Sequence, residues 1–361
     1  MRRYGLVRVV VTSDRFDRLD PAAATSEVAA GWRSAAPHDE VVATPGSDGG
    51  PGLLAAVRAG LGGDELAGAG AAAVVTGPSG SRTVWLQAGT CPGSSSVGLG
   101  RALRVAVSSG ATRVVIGLGG TQRPDGGLGL LAGLGLDLRV GTDLAAAVDL
   151  VPHDLDALAA LRGSLAGVDL VAAYDDDRPL LGMAGVGELV ARSDPDGRAQ
   201  AQVVERGLAA LAGATSAVLG GSARPDLLAG GDRTRPTSVP GSGAGGGLGF
   251  MLAALGARLA PGPAVLASAL DLDARLVSAD LAVVAVPHLD WGTAATGVIA
   301  HVSERAGAVG VPVVALAGTS LLGRKDLAGA GLVGAYVVEG AEPDRLAALA
   351  ARVARTWSPV V

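Results

Sequence analysis

Lysine is almost absent from this 361-residue chain: Lys325 is the only one. It stands in LLGRKDLAG and not at the end of a GxxxxGK[ST] segment, which excludes a Walker A phosphate loop. Cationic help to a phosphoryl group must therefore come from arginine, a metal ion or backbone N–H groups. Cysteine is just as scarce. Cys91 alone allows neither an intramolecular disulfide nor a cysteine-based zinc site, and it fits a reducing compartment. With only two Phe, four Trp and three Tyr, the core has to be built from Ala, Val and Leu. A basic surplus is missing too: the formal net charge of −5 argues against a general nucleic-acid binder. No apolar run reaches the length of a membrane span without glycine or charge. The opening MRRYGLVRVVVTSD is interrupted by Arg8 and lacks a small-residue cleavage pattern, so it reads as a first strand and not as a signal peptide. We expect a soluble, cytoplasmic chain with no membrane or nucleic-acid partner.

What the chain has in excess is glycine, 57 residues, within a composition that is 49% hydrophobic and 17% charged. That is enough apolar matter for a large core, and small aliphatic side chains suit parallel α/β architecture, where strands are buried on both faces. Leu6 to Thr12 reads as a strand, and Asp20-Pro21 as the N-cap and first-turn proline of a helix running to about Trp32. Glu40 to Thr44 reads as a second strand, which delivers PGSDGGPG, Pro45 to Gly52. Residues 71–88 change the rhythm to two strands around Gly77-Pro78-Ser79-Gly80, a hairpin signal that puts a domain boundary near Gly70. From Leu281 onward clean α/β alternation returns: a strand to Val286, a loop from Pro287 to Thr293, a helix from Thr296, a strand from Val311, a short one at Ala335 and a closing helix from Glu342.

Chemistry concentrates where glycine and carboxylate meet after a strand. GLGGTQRPDGGLGLLAGLG, Gly117 to Gly135, follows the apolar run Val114 to Ile116 and leads into a small-residue helix, with Asp125 near the helix start. Glycine lets backbone approach a ligand and a helix N-terminus offers unpaired N–H groups, so this loop points to a phosphate or carboxylate; a tight connection without a ligand is the competing reading. PGSDGGPG repeats the design around Asp48. Sites in such sheets lie beyond the carboxyl ends of strands, which singles out Asp14, Asp48 and Asp290. Asp175-Asp176-Asp177 is an acidic run whose neighbours point to alternate faces, so it is read chiefly as a solvated loop. Gly241-Ser242-Gly243-Ala244-Gly245-Gly246 matches GxGxxG, but no strand leads into it, which disfavours a dinucleotide fold. His288 lacks an orienting partner in the sequence and is read as structural or exposed, not catalytic.

The order of these motifs resembles the two-domain bacterial glycerate kinase family. DRFDRLDPA from Asp14, PGSDGGPG from Pro45, VTGPSG from Val75, GLGGTQRPDGGLG from Gly117, YDDDRPL from Tyr174, PGSGAGGGLG from Pro240, ADLAVVAVPHLDWGT from Ala279 and VPVVALAG from Val311 stand in the family's order across nearly the whole chain. The resemblance implies a flavodoxin-like parallel α/β domain built from residues 1–70 and 240–361, an inserted second α/β domain at 71–239, and ligands held between them. It implies ATP and Mg as cofactors and a small hydroxy acid such as glycerate as substrate. Asp125 and Asp290 would be catalytic; Asp14, Asp48, Gly49, Gly50, Gly119, Gly120, Thr121, Gly126, Gly127, Gly243, Gly245, Gly246 and Thr293 would bind substrate or phosphate. The departures fall on polar positions. Asp17 stands where the family has lysine, Pro51 where it has glutamate, and Ala285-Val286-Pro287-His288 where it has Gly-Glu-Gly-Arg. Two readings follow: an ATP-dependent phosphotransferase with Arg15 or Arg123 as substitute cations, and a non-catalytic relative that binds a small anion, a nucleotide or a protein partner.

Overall fold

A computed structural model describes residues 6–90, 95–120, 124–193, 197–220, 236–338 and 343–358. Its strands are β1 (Arg8–Ser13), β2 (Glu40–Ala43), β3 (Ala72–Thr76), β4 (Arg82–Gln87), β5 (Arg113–Gly117), β6 (Asp169–Tyr174), β7 (Arg258–Pro261), β8 (Leu281–Leu289), β9 (Val313–Ser320) and β10 (Gly334–Val337). They form two five-stranded sheets and two compact units.

The first unit comprises Met1–Asp48, Ala55–Gly62 and Gly262–Val361. Its sheet runs β10-β9-β8-β1-β2, all parallel, so from the β2 edge the strands come in the order 2-1-3-4-5 of a flavodoxin-like sheet. Both faces are apolar. Val9 and Val11 join Val28, Trp32, Leu346 and Val353 in one cluster, whereas Val10 joins Val284, Val302 and Leu272 in another. That alternation is why the strands read as unbroken Val/Ala/Leu runs. On the first face lie the helices Pro21–Ala35 and Pro343–Trp357. Asp20 caps the former by accepting from Ala23 N at 2.8 Å, as its sequence indicates.

The second unit comprises Gly49–Leu54 and Gly63–Pro261. Its sheet runs β3-β4-β5-β6-β7, with the β3–β4 hairpin antiparallel and the rest parallel. A single cluster built on Val84, Leu86, Val114, Ile116, Leu131 and Leu208 forms its core. With so few aromatic residues the helices Val97–Ser108 and Leu128–Leu134 close on one another through Gly100 and Gly133. A Cβ on either would strike the other helix's backbone, Leu130 O and Val97 O respectively.

Three sequence expectations are corrected. The boundary expected at Pro240 falls at Gly262, because Arg258–Pro261 is a strand that pairs with β6 and so keeps 240–261 in the second unit. Gly49–Leu54 also belongs to that unit. Finally, Pro287 to Leu289 is not loop but the continuation of β8, with His288 opposite Thr319 and Leu289 opposite Ser320. Among the described residues no helix is long and apolar enough to cross a membrane.

Candidate functional site

At the carboxyl ends of β1 and β2 the first unit brings two carboxylates together. Ser13 ends β1 with its hydroxyl donating to the Asp14 and Ala285 carbonyls, at 2.7 and 3.1 Å, which fixes the turn that presents Asp14. Asp14 Oδ1 accepts from Arg15 N at 2.7 Å and Oδ2 from Asp48 N at 3.2 Å. The turn from β2 reaches this position through Gly46, whose N–H donates to Ser13 O at 2.9 Å. A Cβ on Gly46 would lie 2.6 Å from Val298 Cγ1. Burial, and then the negative charge of Asp48, push the Asp14 carboxyl up to about 7; the two N–H donors and the Arg15 guanidinium oppose them without cancelling them. At neutral pH Asp14 can therefore both hold and release a proton. Arg15 is exposed, and its positive charge acts on Asp14.

Asp290 lies at the end of β8 and does something else. It is the N-cap of the helix Trp291–Ala295: Oδ1 accepts from Thr293 N at 2.9 Å, and Thr293 Oγ1 accepts from Asp290 N at 2.9 Å. This reciprocal box uses both residues locally. The Thr293 amide holds the Asp290 carboxyl below the usual carboxylate range, so it stays ionised and is a poor proton acceptor near neutral pH. His288 meets Thr319 Oγ1 through Nδ1 at 2.9 Å across the β8–β9 pairing.

In the second unit Asp125 is buried, at 4% exposure, and its oxygens are taken up. Oδ2 accepts from Ser96 N at 2.6 Å and Oδ1 from Gly127 N at 2.9 Å; the Ser96 hydroxyl donates to the carboxylate at 2.8 Å and accepts from Leu130 N at 2.7 Å. Two helix N-termini are thereby satisfied from within, those of Val97–Ser108 and Leu128–Leu134. The glycines on either side serve the same packing. Gly126 N donates to Gly246 O at 3.1 Å, a Cβ on Gly127 would lie 2.5 Å from Met251 Cβ, and one on Gly246 would lie 2.6 Å from Pro124 Cα. Gly245 adopts φ 62° in the same turn, and a Cβ on Gly243 would strike Pro179 O.

Gly119 and Gly120 belong to a different cluster, at the carboxyl ends of β5 and β6. Gly119 N donates to Gly49 O at 3.2 Å, and a Cβ on Gly119 would come 2.5 Å from Gly50 Cα and 2.7 Å from Asp175 Oδ2. Gly120, at φ 79°, lies against Pro51. Of this cluster Gly49, Gly50 and Gly119 are buried, and only Gly120 and the Asp175 carboxylate are exposed at the strand ends. Thr121 and Arg123 lie outside the described residues.

The family model described as the glycerate kinase family matches residues 9–92 and 78–356. The chain belongs to the glycerate kinase family. It is 30% identical to an uncharacterized protein of Mycobacterium bovis, over 94% of this chain and 87% of that one. It is 24% identical to a glycerate kinase of Bacillus subtilis and 26% identical to a glycerate 2-kinase of Escherichia coli, each over 87% of this chain and 85% of the relative. A crystal structure described as a glycerate kinase 2 from Salmonella typhimurium LT2 superposes with a TM-score of 0.73 at 22% identity, covering 98% of both chains. Sequence reasoning offered Asp14 and Asp48 as binding residues but did not foresee that burial and the Asp48 charge push the Asp14 carboxyl up to about 7. The signal was available, since two carboxylates that follow adjacent parallel strands must end close together.

Proposed function

We propose that this protein transfers the terminal phosphoryl group of ATP to a hydroxyl of a small hydroxy acid such as glycerate, with Asp14 as the general base. The observation that carries the reading is the Asp14–Asp48 pair, one member of which burial and like charge bring to about 7. A base with that poise takes a proton from an attacking hydroxyl at neutral pH and returns it to solvent afterwards. Asp48 keeps Asp14 basic, and Arg15 supplies positive charge beside them to the acid's carboxylate or to phosphate, in place of the lysine that Asp17 has displaced.

No group of three or more metal-ligating side chains occurs among the described residues, so none of them forms an all-protein cage for Mg²⁺. An ion delivered on nucleotide phosphates would bring most of its ligands with it and would neutralise charge on the transferring oxygens. Asp125 and Asp290 would hold helix ends and stay out of the chemistry.

The test is ATP-dependent phosphorylation of D-glycerate by the purified protein beside its Asp14→Asn variant. Turnover in the first and its near-abolition in the second is expected; no turnover in either rejects the reading. The alternative, a non-catalytic relative that binds a small anion or nucleotide, draws on the engagement of Asp125 and Asp290 in helix caps. Calorimetric binding of ATP without product formation would favour it.

A further inference from the structure

Beneath the turns that carry Asp14 and Asp48, the first unit holds a small, partly open cavity. Thr12, Thr44, Ser47 and His301 line it together with apolar walls that include Val298 and Leu272, and its volume is about 10 Å³, room for one water molecule. Three of the polar groups are left short of partners by the protein. Thr12 is 2% exposed, and among the described residues neither its Oγ1 nor a ring nitrogen of the half-buried His301 has a hydrogen-bond partner. Thr44 is 3% exposed, and its hydroxyl meets only Arg275 Nη1, at a long 3.4 Å. Burial holds the His301 imidazole below its ordinary range, so the ring is neutral at pH 7 and presents one donor and one acceptor.

A buried hydroxyl without a partner costs free energy comparable to a lost hydrogen bond, and natural cores seldom leave several facing one void. An empty cavity of this size is expected where the lining is apolar; a polar lining with two to four convergent groups marks an internal water. We propose that a single buried water molecule binds here, bridging Thr12 Oγ1, Thr44 Oγ1 and a ring nitrogen of His301. It ties the helix Gly297–Ala308 to the carboxyl ends of β1 and β2. The proposal concerns hydration of the first unit and does not depend on phosphoryl transfer, so it stands or falls separately from that reading.

Thr12→Val tests it by sign, because valine keeps the shape and removes only the hydroxyl. If the cavity holds water, the variant strands that water with fewer partners and the melting temperature falls by about 2 °C. If the cavity is dry, the variant removes an orphaned hydroxyl and the melting temperature rises, which overturns the proposal. His301→Leu completes a double-mutant cycle. A shared water couples the two sites, so the loss in the double variant falls short of the sum of the two single losses; strictly additive losses contradict a shared water.

Discussion

Two carboxylates in this molecule follow a strand, Asp14 directly and Asp125 through a glycine-rich loop, and their surroundings give them opposite characters. Asp125 in the second unit is deeply buried, yet every demand its charge makes is met by Ser96 N, the Ser96 hydroxyl and Gly127 N. Asp14 in the first unit is less covered but receives only Arg15 N and a longer contact from Asp48 N, and it faces the Asp48 charge. The comparison teaches that burial alone does not mark a reactive acid. What matters is whether hydrogen-bond donors compensate the burial, and at Asp14 they do not. A carboxylate that follows a strand can therefore end as a structural node or keep a raised pKa, according to the donors and charges around it.

The largest effect that can break this comparison is expected at Asp14. Asp14→Asn should lower the rate of ATP-dependent glycerate phosphorylation by ~10²-fold or more, the usual contribution of a general base. It should also stabilise the protein above pH 7. The sign follows from linkage: a carboxyl raised from 3.8 to about 7 favours folding while protonated, and that contribution is lost as pH rises through the window between those values. After allowance for partial exposure, the gain at pH 8 is roughly 1–2 kcal/mol, readable by urea titration. Next comes Asp125→Ala, which strands Ser96 N and Gly127 N in the core. It should cost about 3 kcal/mol in unfolding and reduce activity only through the loss of folded protein. Gly127→Ala follows, at about 2 kcal/mol, because the residue sits at φ 84° with Met251 against the added methyl. Asp290→Ala is the smallest. Losing one half-buried cap should cost about 1 kcal/mol, with kcat nearly unchanged. A hundredfold loss of kcat at full stability would instead return Asp290 to the chemistry.

Much of the fold was legible because its signals are local. Asp20-Pro21 caps a helix through its own next turn, and Gly110 ends another at φ 80°. β8 defeated such reasoning at Pro287, since proline is a poor residue for a central strand. The sheet explains the exception. Ala282 N donates toward β9, so by alternation the nitrogen of Pro287 faces the β1 side, and β1 has already ended at Ser13 opposite Ala285. No ladder bond is lost, and Gly318 leaves room for the Pro287 carbonyl. Arg258–Pro261 was missed because four residues with one charge and one proline carry little strand signal. The role of Asp125 was hidden for a different reason: its partner Ser96 lies 29 residues away, and only folding brings a serine N-cap to that carboxylate.

The central claim is that Asp14, poised by Asp48, is the group that takes the proton. The most direct measurement is the pH dependence of kcat/KM for ATP-dependent glycerate phosphorylation in the wild type and in Asp48→Asn. The account predicts a rise in rate through pH about 7 for the wild type, displaced to lower pH when the neighbouring charge is removed. A profile that is flat from pH 5 to 8, or one that Asp48→Asn leaves in place, would contradict it.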